Sequence, residues 1–164
     1  MWSDIEAVIK RLDLKDDQAF KLGDAIDVKA SIALVVITFL ATQTASFLTV
    51  REPWRELQVV SAFLLAIAGV LALLELWPRT YAIDASESLD GWIAELRDYY
   101  QNRADADQLV ASAVAAGHIE RTKERIEKNN AINEQKSKLM DWSFRCTAVA
   151  MLLNLGTLVM KAWS

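Results

Sequence analysis

The chain is 164 residues long, room for one compact unit or a small membrane bundle and too little for two ordinary domains. Eighteen basic against 22 acidic residues leave a net charge of −4. No overall positive field can hold nucleic acid by its phosphates, so DNA or RNA is excluded as the main partner. The 53% apolar and 24% charged residues are segregated along the chain. None of the 21 residues from Ala30 to Val50 and none of the 18 from Leu57 to Leu74 is charged. Each run can cross a hydrocarbon core of roughly 30 Å at about 1.5 Å per residue. A soluble enzyme is disfavoured, because a soluble helix is apolar on one stripe only.

In chain order, residues 1–27 predict an amphipathic N-terminal helix over 3–26, with Ile5, Val8, Ile9 and Leu12 and then Phe20, Leu22 and Ile26 at helical spacing, separated by an acidic break at Asp16 and Asp17. Seven acids in this stretch and no continuous apolar core argue against a secretory signal, so the first span is expected to direct insertion. Residues 28–77 predict a transmembrane helical hairpin. Its first span starts with Lys29 placed to snorkel, and its six-residue link, 51–56, forces an antiparallel return. Trp54 and Trp77 suit opposite interfaces. Small residues four apart, Ala62 with Ala66 and Ala68 with Ala72, allow close helix approach.

Residues 78–139 predict a helical region divided at Tyr99–Ala104, with Leu89, Trp92, Ile93, Leu96 and Tyr99 on one face of the first part. Only isolated glycines, Gly117 and Gly156, interrupt the pattern from Ala104 to Lys161. One rod running into a third span, within residues 140–164, is expected. Its uncharged core, Cys146–Met160, is short, so Arg145 and Lys161 are expected to snorkel. With three spans, fifteen basic residues fall on the side of the N-terminus and central region and three on the other. The positive-inside rule therefore places the N-terminus and 78–139 in the cytosol.

Little of the chain suggests catalysis. The one histidine, His118, has no partner spacing of a ligand set or nucleophile, the single Cys146 reads as packing, and the five glycines are scattered singly. No catalytic residue, metal site or cofactor is expected. Carboxylates and cations alternating over 120–128 fit a solvated, self-paired face. The sharper alternative makes Arg97, Arg103, Arg121, Lys123 and Arg125 candidate contacts for the phosphate of a small anionic ligand. Within the spans, Ser31, Thr38, Thr42 and Thr49 share an arc of about 100° on the first helix, as do Ser143, Thr147, Asn154 and Thr157, over about 80°, on the third. Such stripes are expected to meet protein or water rather than lipid. They leave open packing among the three helices and a water-lined path in an oligomer. Glu75 is expected at the interface rather than in a proton relay.

An amphipathic helix runs into Asp27-Val-Lys-Ala-Ser-Ile-Ala-Leu34. A two-span hairpin ending Leu76-Trp-Pro-Arg79 follows, then a helical insert. Last comes a helix carrying Ile126, Asn133, Lys136 and Lys138-Leu139 that leads into a final span. Over almost its whole length the chain resembles the membrane effectors of the Pycsar anti-phage systems and, more loosely, helical-hairpin effectors of cyclic-oligonucleotide defence. The resemblance implies a protein of the bacterial inner membrane that impairs that membrane when a cyclase product, a cyclic pyrimidine mononucleotide, signals infection. The chain is therefore expected to be all-α, with three transmembrane helices and a cytosolic helical region. Membrane lipid, further copies of itself in a homo-oligomer, and a cyclic nucleotide are its expected partners. A reading of a different class makes it a small membrane-anchored adaptor whose cytosolic helices dock a partner protein.

Overall fold

The computed structural model describes residues 2–48, 55–83 and 87–163. Thr49 of the expected first-span stripe and Trp54 lie outside the described residues, as does the side chain of Leu89. The described chain is helical: α1 Trp2–Leu48, α2 Arg55–Leu76, α3 Glu87–Tyr100 and α4 Ala106–Trp163. Three of them, α1, α2 and α4, are long and apolar enough to cross a membrane.

The helix expected over 3–26 is the start of α1, which runs through the acidic break in the apolar pattern at Asp16 and Asp17. An aspartate inside a helix costs only a few tenths of a kcal/mol relative to better formers, and Asp16 gains an ion pair with Arg125 at 3.1 Å. Pro78, which lacks the amide a further turn would need, follows the end of α2 at Leu76. Between α3 and α4 the backbone makes a tight turn, with Arg103 N donating to Tyr100 O at 2.9 Å and Ala106 N to Arg103 O at 3.2 Å. Tyr99, expected on the apolar face of α3, is exposed and meets Tyr100 edge to face.

The chain divides into two units, Met1–Leu22 with Thr80–Ile132, and Gly23–Arg79 with Asn133–Ser164. In the first, Leu12 and Ala19 of α1 and Val110, Thr122 and Asn129 of α4 are buried. Asn129 grips the backbone of Ala82 on both sides: Ala82 N donates to its Oδ1 at 2.9 Å, and its Nδ2 donates to Ala82 O at 3.3 Å. Phe20 packs on Tyr81, ring centroids 5.7 Å apart. Trp92 lies against Gly117, where the indole leaves no room for a Cβ.

In the second unit the buried positions step by three and four. They are Ile26, Ala30, Ala33, Ile37 and Thr44 on α1, and Gln58, Ser61, Leu65, Ala68, Ala72 and Glu75 on α2. On α4 they are Asn133, Lys136, Ser143, Ala150, Asn154 and Thr157. Alternating three- and four-residue steps describe a heptad seam, the spacing at which helices pack knobs into holes. The outward faces carry large apolar side chains such as Val35, Phe39, Phe63, Leu73, Leu152 and Val159. Apolar outside and small or polar inside is the reverse of a soluble bundle and suits lipid as solvent, where close packing by small residues replaces hydrophobic collapse.

Candidate functional site

Lipid offers no hydrogen bonds, so a polar side chain in a span must find its partner in the protein or in enclosed water. The three spans of the second unit solve this at two levels. Toward the hairpin end, Asn154 Nδ2 donates to Thr44 Oγ1 at 2.9 Å, and the Ser61 hydroxyl is shared between Asn154 Oδ1 and the Ala150 carbonyl, each at 3.1 Å. One amide thus ties α1, α2 and α4 together. Ser143 adds a tie from α4 to α2, donating to Ala68 O at 2.9 Å. Ala68, almost wholly buried, lets the backbones come this close. Gln58, 2% exposed, sits one turn beyond Ser61, and no hydrogen bond reaches either of its amide atoms.

At the opposite level the seam is charged. Lys136 Nζ meets Asp27 Oδ1 at 2.5 Å with its own side chain 3% exposed. Glu75 is fully buried, and no hydrogen bond of acceptable geometry reaches either carboxylate oxygen. Asp27, Lys136 and Arg79 are its charged neighbours, and Arg79 donates to Gln135 Oε1 at 2.5 Å. All three helices therefore place charge in one cluster. Glu75, one residue before the end of α2, is buried between the helices of this cluster.

The stripe positions separate by helix. On α4, Ser143, Asn154 and Thr157 are buried and Thr147 half-buried, with Thr147 and Thr157 donating to the carbonyls of Ser143 and Leu153. On α1, Ser31, Thr38 and Thr42 are exposed in the single chain, so of the two readings left open for this stripe, packing among the chain's own three helices does not account for it. Their hydroxyls donate to Asp27 O, Leu34 O and Thr38 O at 2.8–2.9 Å. A hydroxyl bonded to its own helix one turn back has its donor satisfied and tolerates an apolar surrounding. Of the alanine pairs, Ala68 and Ala72 are buried, while Ala62 is half-buried and Ala66 exposed.

The five candidate phosphate contacts do not converge on one point. Arg125 pairs with Asp16, with both side chains 14% exposed. Arg121 stacks over Trp92, 4.8 Å from its centroid. Arg97, Arg103 and Lys123 are exposed. Beside Arg121 lies a cleft of about 330 Å³, lined by Ile9, Trp92, Ala111, Val114, Ala115 and His118 as well as Arg121. His118 Nε2 is 3.3 Å from Asp13 Oδ1. Farther along α4 the Lys128 ammonium, through its hydrogen bond and then its charge, holds the Glu124 carboxyl below its ordinary value, and Lys138 does the same for Glu134. These pairs are the self-compensating surface expected of this stretch. Among the described residues no three His, Cys, Asp or Glu side chains are grouped to hold a metal.

Sequence reading missed Thr44, Gln58, Ser61 and the Asp27–Lys136–Glu75 cluster. Gln58 and Ser61, three apart, with Glu75 two heptads further on, share one face of an apolar helix, and that placement was a usable signal. The Asp27–Lys136 pair, 109 positions apart, had none. Comparison with curated proteins and with solved structures gives no match. The family described as the Pycsar effector protein domain matches residues 16–162, which include all three spans and both levels of the polar seam. That coverage makes the chain a member of the Pycsar effector protein domain family, a membrane effector of anti-phage defence rather than an enzyme.

Proposed function

We propose that this chain impairs the integrity of its membrane when a cyclic nucleotide binds, a cyclic pyrimidine mononucleotide by the family resemblance. It does so as a homo-oligomer in the bacterial inner membrane, with its N-terminus and residues 78–139 cytosolic and without catalysis of its own. The observation that carries the reading is the polar seam. A pure anchor has no need to bury Glu75, Lys136 and the unbonded Gln58 in its spans, since ionisable and unsatisfied groups are costly there and small residues with bonded amides already hold helices together in lipid. Polar groups inside spans suit a protein that must change packing and admit water. The exposed hydroxyls of Ser31, Thr38, Thr42 and Ser46 on α1 offer a face for further copies. Arg121 on Trp92, at the edge of an apolar cleft, offers a planar wall with a cation, the pairing a nucleotide base and phosphate require.

A ligand shifts such an assembly only through its differential affinity for two packings. Purified protein in liposomes holding a potassium diffusion potential and a trapped dye, exposed to cyclic CMP, cyclic UMP and purine cyclic nucleotides, tests this. The expected result is loss of the potential with one nucleotide class, at a half-maximal concentration that Arg121→Ala raises. Retention of both potential and dye with every nucleotide, from inserted and helical protein, overturns the reading and favours the adaptor.

A further inference from the structure

The buried side chains of the second unit have an unusual composition. Among the described residues, those almost wholly buried and largest in volume are Leu65, Glu75, Asn129, Thr44, Thr122, Ser61 and Ser143. Of the five in the second unit, Leu65 alone is apolar. Gln58, whose amide atoms no hydrogen bond reaches, and Glu75, fully buried with the charged side chains of Asp27, Lys136 and Arg79 beside its carboxylate, stand at opposite ends of the same face of α2. Seventeen residues separate them, about 25 Å at 1.5 Å per residue, close to the thickness of the hydrocarbon core. Buried polar groups without protein partners draw in water when the site is polar and roomy enough. Water reaching in from both ends would meet Ser61, Asn154 and Thr44 on one side and Lys136 and Asp27 on the other. Between the two lies an apolar layer formed by Leu65, Ile37, Ala33, Ala68, Ala72 and Ala150.

We propose that the interior of the three-span bundle of each single chain is a proton pathway, closed by the Leu65–Ile37 layer, with Glu75 accepting and releasing the proton at one end and Gln58 hydrating the other. The class of ion follows from the packing. Alanines at four of the six layer positions bring the backbones together, leaving room on a small separation for a file of water and not for a hydrated cation. Lys136 from α4 and Arg79 beyond α2 flank Glu75 together with Asp27 from α1: two cations balance two carboxylates, so the cluster has no net negative charge with which to hold a permanent cation. A proton passes along water to the carboxylate and off again without an ion following it. An apolar constriction of this kind shuts by dewetting. Thinning or separating it by a side chain's breadth connects the two wet ends.

This inference rests on the reading that the chain impairs its membrane, and specifies that the lesion is a proton leak in the protomer. Its test contains no nucleotide, so its failure leaves the trigger reading standing. Full-length protein is placed in liposomes with an internal pH indicator, a valinomycin-imposed potential and co-trapped carboxyfluorescein. Leu65→Ala is expected to pass protons roughly tenfold faster than the parent, while carboxyfluorescein stays inside and Leu65→Met remains as tight as the parent. Adding Glu75→Gln to Leu65→Ala is expected to return the flux to near the parent's. Helical content in the same vesicles is followed by circular dichroism. Should Leu65→Ala lose its helical signal, Ile37→Ala opens the same layer from α1 and decides by the same readout. An opened layer as proton-tight as the parent overturns the proposal, as does release of dye alongside protons or a flux indifferent to Glu75→Gln.

Discussion

Lys136 shows how one buried side chain can tie two spans together. Its ammonium is 3% exposed and reaches Asp27 at 2.5 Å, while Glu75 beside it accepts no hydrogen bond of good geometry. Removing one member of a buried charge pair leaves the other uncompensated and costs about 3–5 kcal/mol in soluble proteins. Lys136→Met is accordingly expected to lower the thermal midpoint of the detergent-solubilised protein, and pairing it with Glu75→Gln to recover part of the loss, because the second change removes a charge that the first has stranded. Equal losses in the single and double variants would show that the two groups are not coupled. Gln58 and Asn154 are the neutral counterparts: Asn154 is satisfied by Thr44 and Ser61, whereas nothing reaches Gln58.

At the scale of the helix, α4 changes solvent along its 58 residues. Over 124–138 it is stitched by Glu124–Lys128 and Glu134–Lys138, both at 2.7 Å and both exposed. The partner lysines lower both carboxyl pKa values from 4.5. A carboxyl whose folded pKa is depressed contributes stability that is present above its unfolded value and lost as pH falls through the folded value. The helix therefore gains from these pairs at neutral pH and loses that gain only below about pH 4.5, the ordinary value. Lys128→Gln and Lys138→Gln are expected to bring the titration midpoints of Glu124 and Glu134 back up toward 4.5, read by carboxyl-carbon NMR in detergent. Midpoints that stay where they are would assign the depression to another cause. From Ser143 onward the same helix satisfies its polar groups by ties to α1 and α2 or by its own carbonyls.

For the molecule as a whole, topology is the first thing to measure. The positive-inside rule predicts a cytosolic N-terminus and 78–139, with the end of the third span outside. Alkaline phosphatase fused after Ser164 is expected to be active in intact bacteria, and a fluorescent protein fused before Met1 to fluoresce; the reverse pattern would invert the orientation. Either result fixes which compartment the Asp27–Glu75–Lys136 level faces. That decides whether the proposed pathway takes up protons or releases them at Glu75.

The sequence by itself determined the solvent. Two long uncharged runs and a third shorter one can only lie in lipid, because their apolar surface runs round most of each helix, and the family stretch could be quoted residue by residue. It also located the polar positions of the third span, Ser143, Thr147, Asn154 and Thr157. Which polar residues face inward on the first span was decided by tertiary structure alone. Ser31, Thr38 and Thr42 share an arc yet stay outside, because a hydroxyl can satisfy itself on its own helix. Asn154 and Lys136 are met instead by other helices, and their partners Thr44, Ser61 and Asp27 lie tens of residues away where no local spacing points to them.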